Sequence, residues 1–117
     1  MKKINASTAK AFESKVKAFI EEAAIELNHK DTQVIRGDHK NLIPDWLVIN
    51  KSKVYGVECK NYRAHSTLNS AIKAWKRKQP NQHRNFTILK KSMNIIIFFN
   101  LRDETCLLYT SPSPRDS

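Results

Sequence analysis

The chain is poor in several things, and each shortage narrows what it can be. It has two cysteines, Cys59 and Cys106, in 117 residues, too few for the disulfide framework of a small secreted domain. Residues 1–12 hold no apolar run of signal-peptide length, and no stretch approaches the length needed to cross a bilayer. A cytoplasmic protein with no membrane partner is therefore expected, and the sequons at Asn5, Asn50 and Asn85 read as chance matches. The four histidines, His29, His39, His65 and His83, show no ligand spacing, which argues against a zinc site built with Cys59. Internal repeats and interdomain linkers are absent, as expected of a single folded unit of this length.

One further absence is local. Residues 59–102 contain ten Lys or Arg and no Asp or Glu, while the rest of the chain is balanced, so the formal net charge of +10 arises in that block. Cations gathered on one part of a domain form the footprint of a polyanion binder, because each neutralised phosphate releases condensed counterions. Nucleic acid is the first partner to consider, and a solvated Lys-rich surface kept for solubility is the competing explanation. Lys73, Lys76, Arg77, Lys78 and Arg84 are the candidate phosphate contacts.

Apolar periodicity orders the elements. Ser7 or Thr8 can cap a helix of about five turns in which Phe12, Val16, Phe19, Ile20, Ala23 and Leu27 recur at spacings of three and four. Residues 32–36 have the β-branched content of a short strand ended by Gly37. A polar loop containing Asp38 and His39, both near enough to Asp45 to be considered beside a metal, leads to Pro44. Residues 46–49 and 54–59 are apolar runs separated by Asn-Lys-Ser-Lys, a hairpin without the favoured Asn-Gly turn. Residues 66–78 and 81–91 read as helices divided by Pro80, and residues 94–100 (NIIIFFN) as a strand covered on both faces. The order is αβββααβ. Trp46 and Trp75 read as core or interface residues rather than stacking platforms.

The hairpin brings chemistry together. A turn centred on Lys51 and Ser52 pairs residues whose numbers sum to 103, which sets Asp45 opposite Glu58 on one face. Lys60 follows by two and shares that face; Cys59 points away. Opposed carboxylates repel unless a cation lies between them, and hard oxygen donors with room for water suit Mg²⁺ or Mn²⁺. Each residue alone reads as an ordinary strand or turn residue; their shared register is what points to catalysis.

Pro44-Asp45, twelve residues, then Glu58-Cys59-Lys60 resembles the signature of the PD-(D/E)XK nucleases. The resemblance implies an α/β restriction-endonuclease-like core, a mixed central sheet flanked by helices, over roughly residues 12–100. It implies an endonuclease acting on DNA with Asp45 and Glu58 as metal ligands, Cys59 lending its backbone carbonyl and Lys60 catalytic. Glu13 is the matching candidate for a further acid on the first helix, and Gln82, rather than Gln79, for the glutamine that many resolvase-like members carry. A small basic domain with little beyond the core is similar to Holliday junction resolvases and their phage relatives, which adds branched DNA to the candidate substrates and leaves a homodimer open. A binding module on the same scaffold, without the chemistry, is the alternative.

From Cys106 the chain changes to CLLYTSPSPRDS. Residue for residue, CLLYTSPSPRD resembles one translated frame of a sequencing-library adapter, which implies that the natural C-terminus is missing. The expectation is a nuclease-like domain over 1–105 and a disordered tail over 106–117.

Overall fold

The computed structural model describes residues 4–37 and 44–110; Asp38 and His39 lie outside them. The described residues form a mixed α/β fold in which three helices flank a five-stranded sheet of order β1-β2-β3-β4-β5. Helix α1 spans Ala9–Glu26, and the Thr8 side chain caps it by accepting from the Ala11 N–H. Phe12 and Val16 form its fully buried face, but the stripe ends early: Leu27, expected inside, is the C-cap and 65% exposed.

Strands β1 (Gln33–Arg36), β2 (Trp46–Asn50) and β3 (Lys53–Asn61) form an antiparallel meander. The β2–β3 ladder runs from Trp46 opposite Val57 to Asn50 opposite Lys53, the register that the turn arithmetic predicts. Without Asn-Gly, Lys51 itself adopts the left-handed conformation, at φ 55°. Helices α2 (Leu68–Lys78) and α3 (Pro80–Leu89) then carry the chain across to β4 (Asn94–Asn100), which lies parallel to β3, a connection that needs such a crossover. Pro80 occupies the first turn of α3, where its missing N–H costs nothing.

Alternation along β3 and β4 builds a core on each face. Val57 and Phe98 meet Phe12 and Val16 of α1, while Ile95, Ile97 and Phe99 meet Ala71, Trp75 and Phe86 of α2 and α3. Trp46 and Trp75 are both core residues, 5% and 2% exposed.

The C-terminal segment departs from expectation at residues 106–110, which are ordered rather than a tail. Thr105–Thr110 forms β5, antiparallel to β4, with Cys106 and Leu108 turned toward the α2/α3 core and Leu107 and Tyr109 exposed. The apolar run CLLY shows no polar alternation and so reads as aperiodic. The open edge of β4 supplies the pairing that local pattern does not reveal. Both thiols are free.

Candidate active site

Asp45, Glu58 and Lys60 are 5%, 5% and 7% exposed, a degree of burial that charged side chains rarely reach. The hairpin positions them. Pro44 packs directly over Gly56: a Cβ added at Gly56 would stand 2.7 Å from Pro44 Cγ and 3.0 Å from Ile95 Cδ1. The glycine thus makes room for the residue that leads the chain into Asp45. One step beyond the β2–β3 ladder, the Asp45 N–H donates to Glu58 Oε1 at 3.3 Å, and the Cys59 N–H donates to Asp45 Oδ2 at 2.8 Å. The Glu58 carboxyl is therefore tied to the Asp45 backbone, and the Asp45 carboxylate to the backbone of Cys59, the next residue along β3.

Lys60 completes the group. Its Nζ lies 3.6 Å from Glu58 Oε2 and 5.4 Å from the centre of the Trp75 ring, and it donates to Gln82 Oε1. That same oxygen accepts from Trp75 Nε1 at 2.9 Å, so a buried indole fixes the amide that fixes the lysine. Beyond Lys60 the end of β3 is anchored by buried Asn100, which donates to Asn61 Oδ1 at 2.7 Å and to the Ala6 carbonyl at 2.9 Å. Sequence reading passes over Asn100 because an asparagine closing an apolar strand looks like a turn residue.

Crowding of this kind disturbs ionisation. Burial, a side-chain hydrogen bond with Asp45 and the nearby Asp45 charge push the Glu58 carboxyl up to about 9, with Lys60 opposing the shift. Burial also lowers the Lys60 ammonium pKa against the pull of Glu58 and Asp45, and burial raises that of the Cys59 thiol, which faces the α1 side of the sheet. Without a cation, Glu58 holds a proton that damps its repulsion from Asp45.

The donor set fits Mg²⁺ or Mn²⁺. Two carboxylates are enough for an ion that keeps several waters and completes its shell with substrate phosphate oxygens, and a divalent cation would replace the proton on Glu58. Among the described residues, no cluster of three or more His, Cys, Asp or Glu forms. Glu13 is not drawn to the pair: its carboxylate accepts from Arg36 Nη1 at 2.6 Å, and its backbone carbonyl accepts from Trp46 Nε1 at 3.1 Å. Lys73, Lys76, Arg77, Lys78 and Arg84 are all exposed on α2 and α3. Gln79, the alternative to Gln82, serves as the cap between those helices.

No protein-family model matches the chain, and no curated protein matches it. No helix among the described residues is long and apolar enough to cross a membrane.

Proposed function

We propose that the protein is a metal-dependent endonuclease of the PD-(D/E)XK kind that hydrolyses phosphodiester bonds in DNA, branched DNA included. The observation that carries this reading is the joint burial of Asp45, Glu58 and Lys60 at the rim of an apolar core, against two helices that touch Lys60 through Trp75 and Gln82 and carry exposed cations. Buried ionisable groups that serve only stability are commonly matched or bettered by apolar residues, whereas a strongly shifted carboxyl with a specific charge partner is what catalytic sites contain.

Asp45 and Glu58, with the Cys59 carbonyl, would hold Mg²⁺, which when bound polarises a phosphate oxygen and makes its water more acidic. Lys60 stands beside that pair with its ammonium held by Gln82 and Glu58. In this role it orients the attacking water and offsets the charge that develops on the phosphoryl oxygens. Gln82 acts through Lys60, and Trp75 through Gln82. Lys73, Lys76, Arg77, Lys78 and Arg84 supply affinity without sequence selection, as phosphate contacts do.

The test is incubation of the purified protein with linear duplex, single-stranded and four-way-junction DNA, each in Mg²⁺, Mn²⁺, Ca²⁺ and chelator. Cleavage in Mg²⁺ or Mn²⁺ alone, with binding but no cleavage in Ca²⁺, is expected. Full cleavage in chelator would sink the mechanism, and binding without cleavage under every condition would leave a binding module.

A further inference from the structure

Next to Lys60 lies a cleft of about 450 Å³, between the 61–65 segment and the C-terminal end of α2. Arg63 and Lys78 contribute two exposed cations to its lining beside Lys60, whose own ammonium is held by Glu58 and Gln82, and among the described residues no Asp or Glu lines it. Tyr62 and His65 contribute two rings, tilted at 59° with centroids 5.9 Å apart. Cations without acids select a phosphate; rings beside them offer a stacking surface to a base. The volume lies toward the low end of the roughly 300–1,000 Å³ typical of small-ligand sites, suited to a single mononucleotide unit and far too small for a paired helix.

The segment that forms the cleft is held in place despite lacking regular structure. Tyr62 N–H donates to the Asn100 carbonyl at 3.0 Å, and Arg102 donates to the carbonyls of Ala64 at 2.8 Å and His65 at 2.9 Å. His65 Nδ1 lies 2.7 Å from Ser70 Oγ, which orients its ring, and Tyr62 packs against Phe99 with ring centroids 6.2 Å apart. A wall already ordered before binding loses little entropy when a ligand arrives.

We infer that this cleft is a subsite for one unpaired nucleotide beside the cutting centre, its phosphate met by Arg63 and Lys78 and its base by Tyr62 and His65. The inference rests on the nucleic-acid reading of the site and makes it more specific: the preferred DNA carries an unpaired nucleotide next to the scissile bond. Duplex that is paired throughout leaves the cleft unfilled.

The experiment is equilibrium binding in chelator, so that the readout is independent of cleavage. The full chain is titrated against three labelled DNAs that differ at one position: a duplex with a single unpaired thymidine, the same duplex with that nucleotide abasic, and the fully paired duplex. The unpaired thymidine should tighten binding roughly five- to a hundredfold, the range of a base–aromatic stack, and the abasic form should lose most of that gain. Tyr62→Phe should keep the gain and Tyr62→Ala should remove it; because Tyr62→Ala also disturbs Phe99, His65→Ala serves as a second variant and should reduce the gain in a folded protein. Equal affinity for the three DNAs, or a gain that persists in both alanine variants, would overturn the subsite. Cleavage of the same DNAs in Mg²⁺ separates the two readings: discrimination without cutting removes the nuclease and keeps the subsite, and cutting without discrimination does the reverse.

Discussion

Two pairs of an acidic and a basic side chain lie on opposite faces of the sheet. On the α1 side, Glu13 and Arg36 meet at 2.6 Å with side chains 24% and 52% exposed; on the α2/α3 side, Glu58 and Lys60 stand 3.6 Å apart at 7% and 9%. The closer pair is the less consequential one. In water its attraction is screened and contributes at most about 1 kcal/mol. The longer pair has been removed from solvent, which raises the Glu58 pKa and lowers that of Lys60, and it shares its space with a second acid, Asp45. Under the proposed function, a metal with a phosphate ester would relieve the tension of that arrangement.

The largest effects should therefore follow the buried pair alone. Lys60→Ala is expected to lower the single-turnover cleavage rate by at least about a hundredfold, roughly 2.7 kcal/mol of transition-state stabilisation, with little change in DNA affinity. Asp45→Asn should abolish cleavage through loss of metal while DNA binding in chelator persists. Arg36→Ala, measured in parallel, should leave the rate within about twofold, since its partner Glu13 is outside the Asp45–Glu58 pair. If Lys60→Ala cuts at the wild-type rate, the contrast between the faces has no catalytic content.

The next effect is one of pH. The folded-state pKa of Glu58 is raised from 4.5 to about 9, chiefly by burial, so between those values the native state keeps a proton that the unfolded chain releases. Stability contributed by Glu58 is then full below about pH 4.5 and is lost as pH rises through about 9. Lys60 works in the opposite sense, because its folded pKa is lowered and the penalty for keeping it charged lessens as pH rises. The comparison that isolates Glu58 is with Glu58→Gln, by urea unfolding in chelator from pH 5 to 8. Wild type should lose stability relative to the variant by on the order of a few kcal/mol across that interval, and Mg²⁺ should shrink the loss. Parallel profiles would mean that Glu58 does not carry the proton.

A smaller effect concerns how the buried pair is positioned. Gly56→Ala would press a methyl group against the Pro44 ring and Ile95, and overpacking of this kind costs about 1–3 kcal/mol. Because Pro44 leads into Asp45, the variant should also lose turnover beyond what its fraction unfolded explains. A rate that tracks the folded fraction alone would free Asp45 from dependence on that contact.

The buried constellation was readable from sequence because strand pairing obeys arithmetic: a two-residue turn at Lys51 and Ser52 forces the 103 register, and period-two alternation does the rest. Gln82 is reachable only through the family resemblance, and its partnership with Trp75 is not legible at all, since it depends on the packing of α3 against α2. Tyr62, Arg63 and His65 carried no signal, because the segment that holds them has no periodicity and its shape is set by Asn100 and Arg102 from distant chain. Leu27 and residues 106–110 depart from the sequence reading for a shared reason: where a helix stops burying its stripe and what pairs with an open strand edge are decided by neighbours rather than by local pattern.

The smallest expected effect bears on Glu13, which by resemblance should join the metal site and by geometry is tied to Arg36. Glu13→Gln removes one charge and keeps the shape, so it should cost no more than about 1 kcal/mol of stability, and less in high salt. Arg36→Ala should cost more than Glu13→Gln, because Arg36 also lies over the Trp46 ring, 4.1 Å from its centre, and that packing does not depend on charge. The decisive reading is metal affinity, taken from the Mn²⁺ dependence of thermal stability without DNA. Two carboxylates alone predict the same midpoint for Glu13→Gln as for wild type, whereas loss of a true third ligand would weaken it markedly, about tenfold for each 1.4 kcal/mol of binding removed. A shift of that size would mean that Glu13 leaves Arg36 when the metal arrives, and the two faces of the sheet would then serve one site.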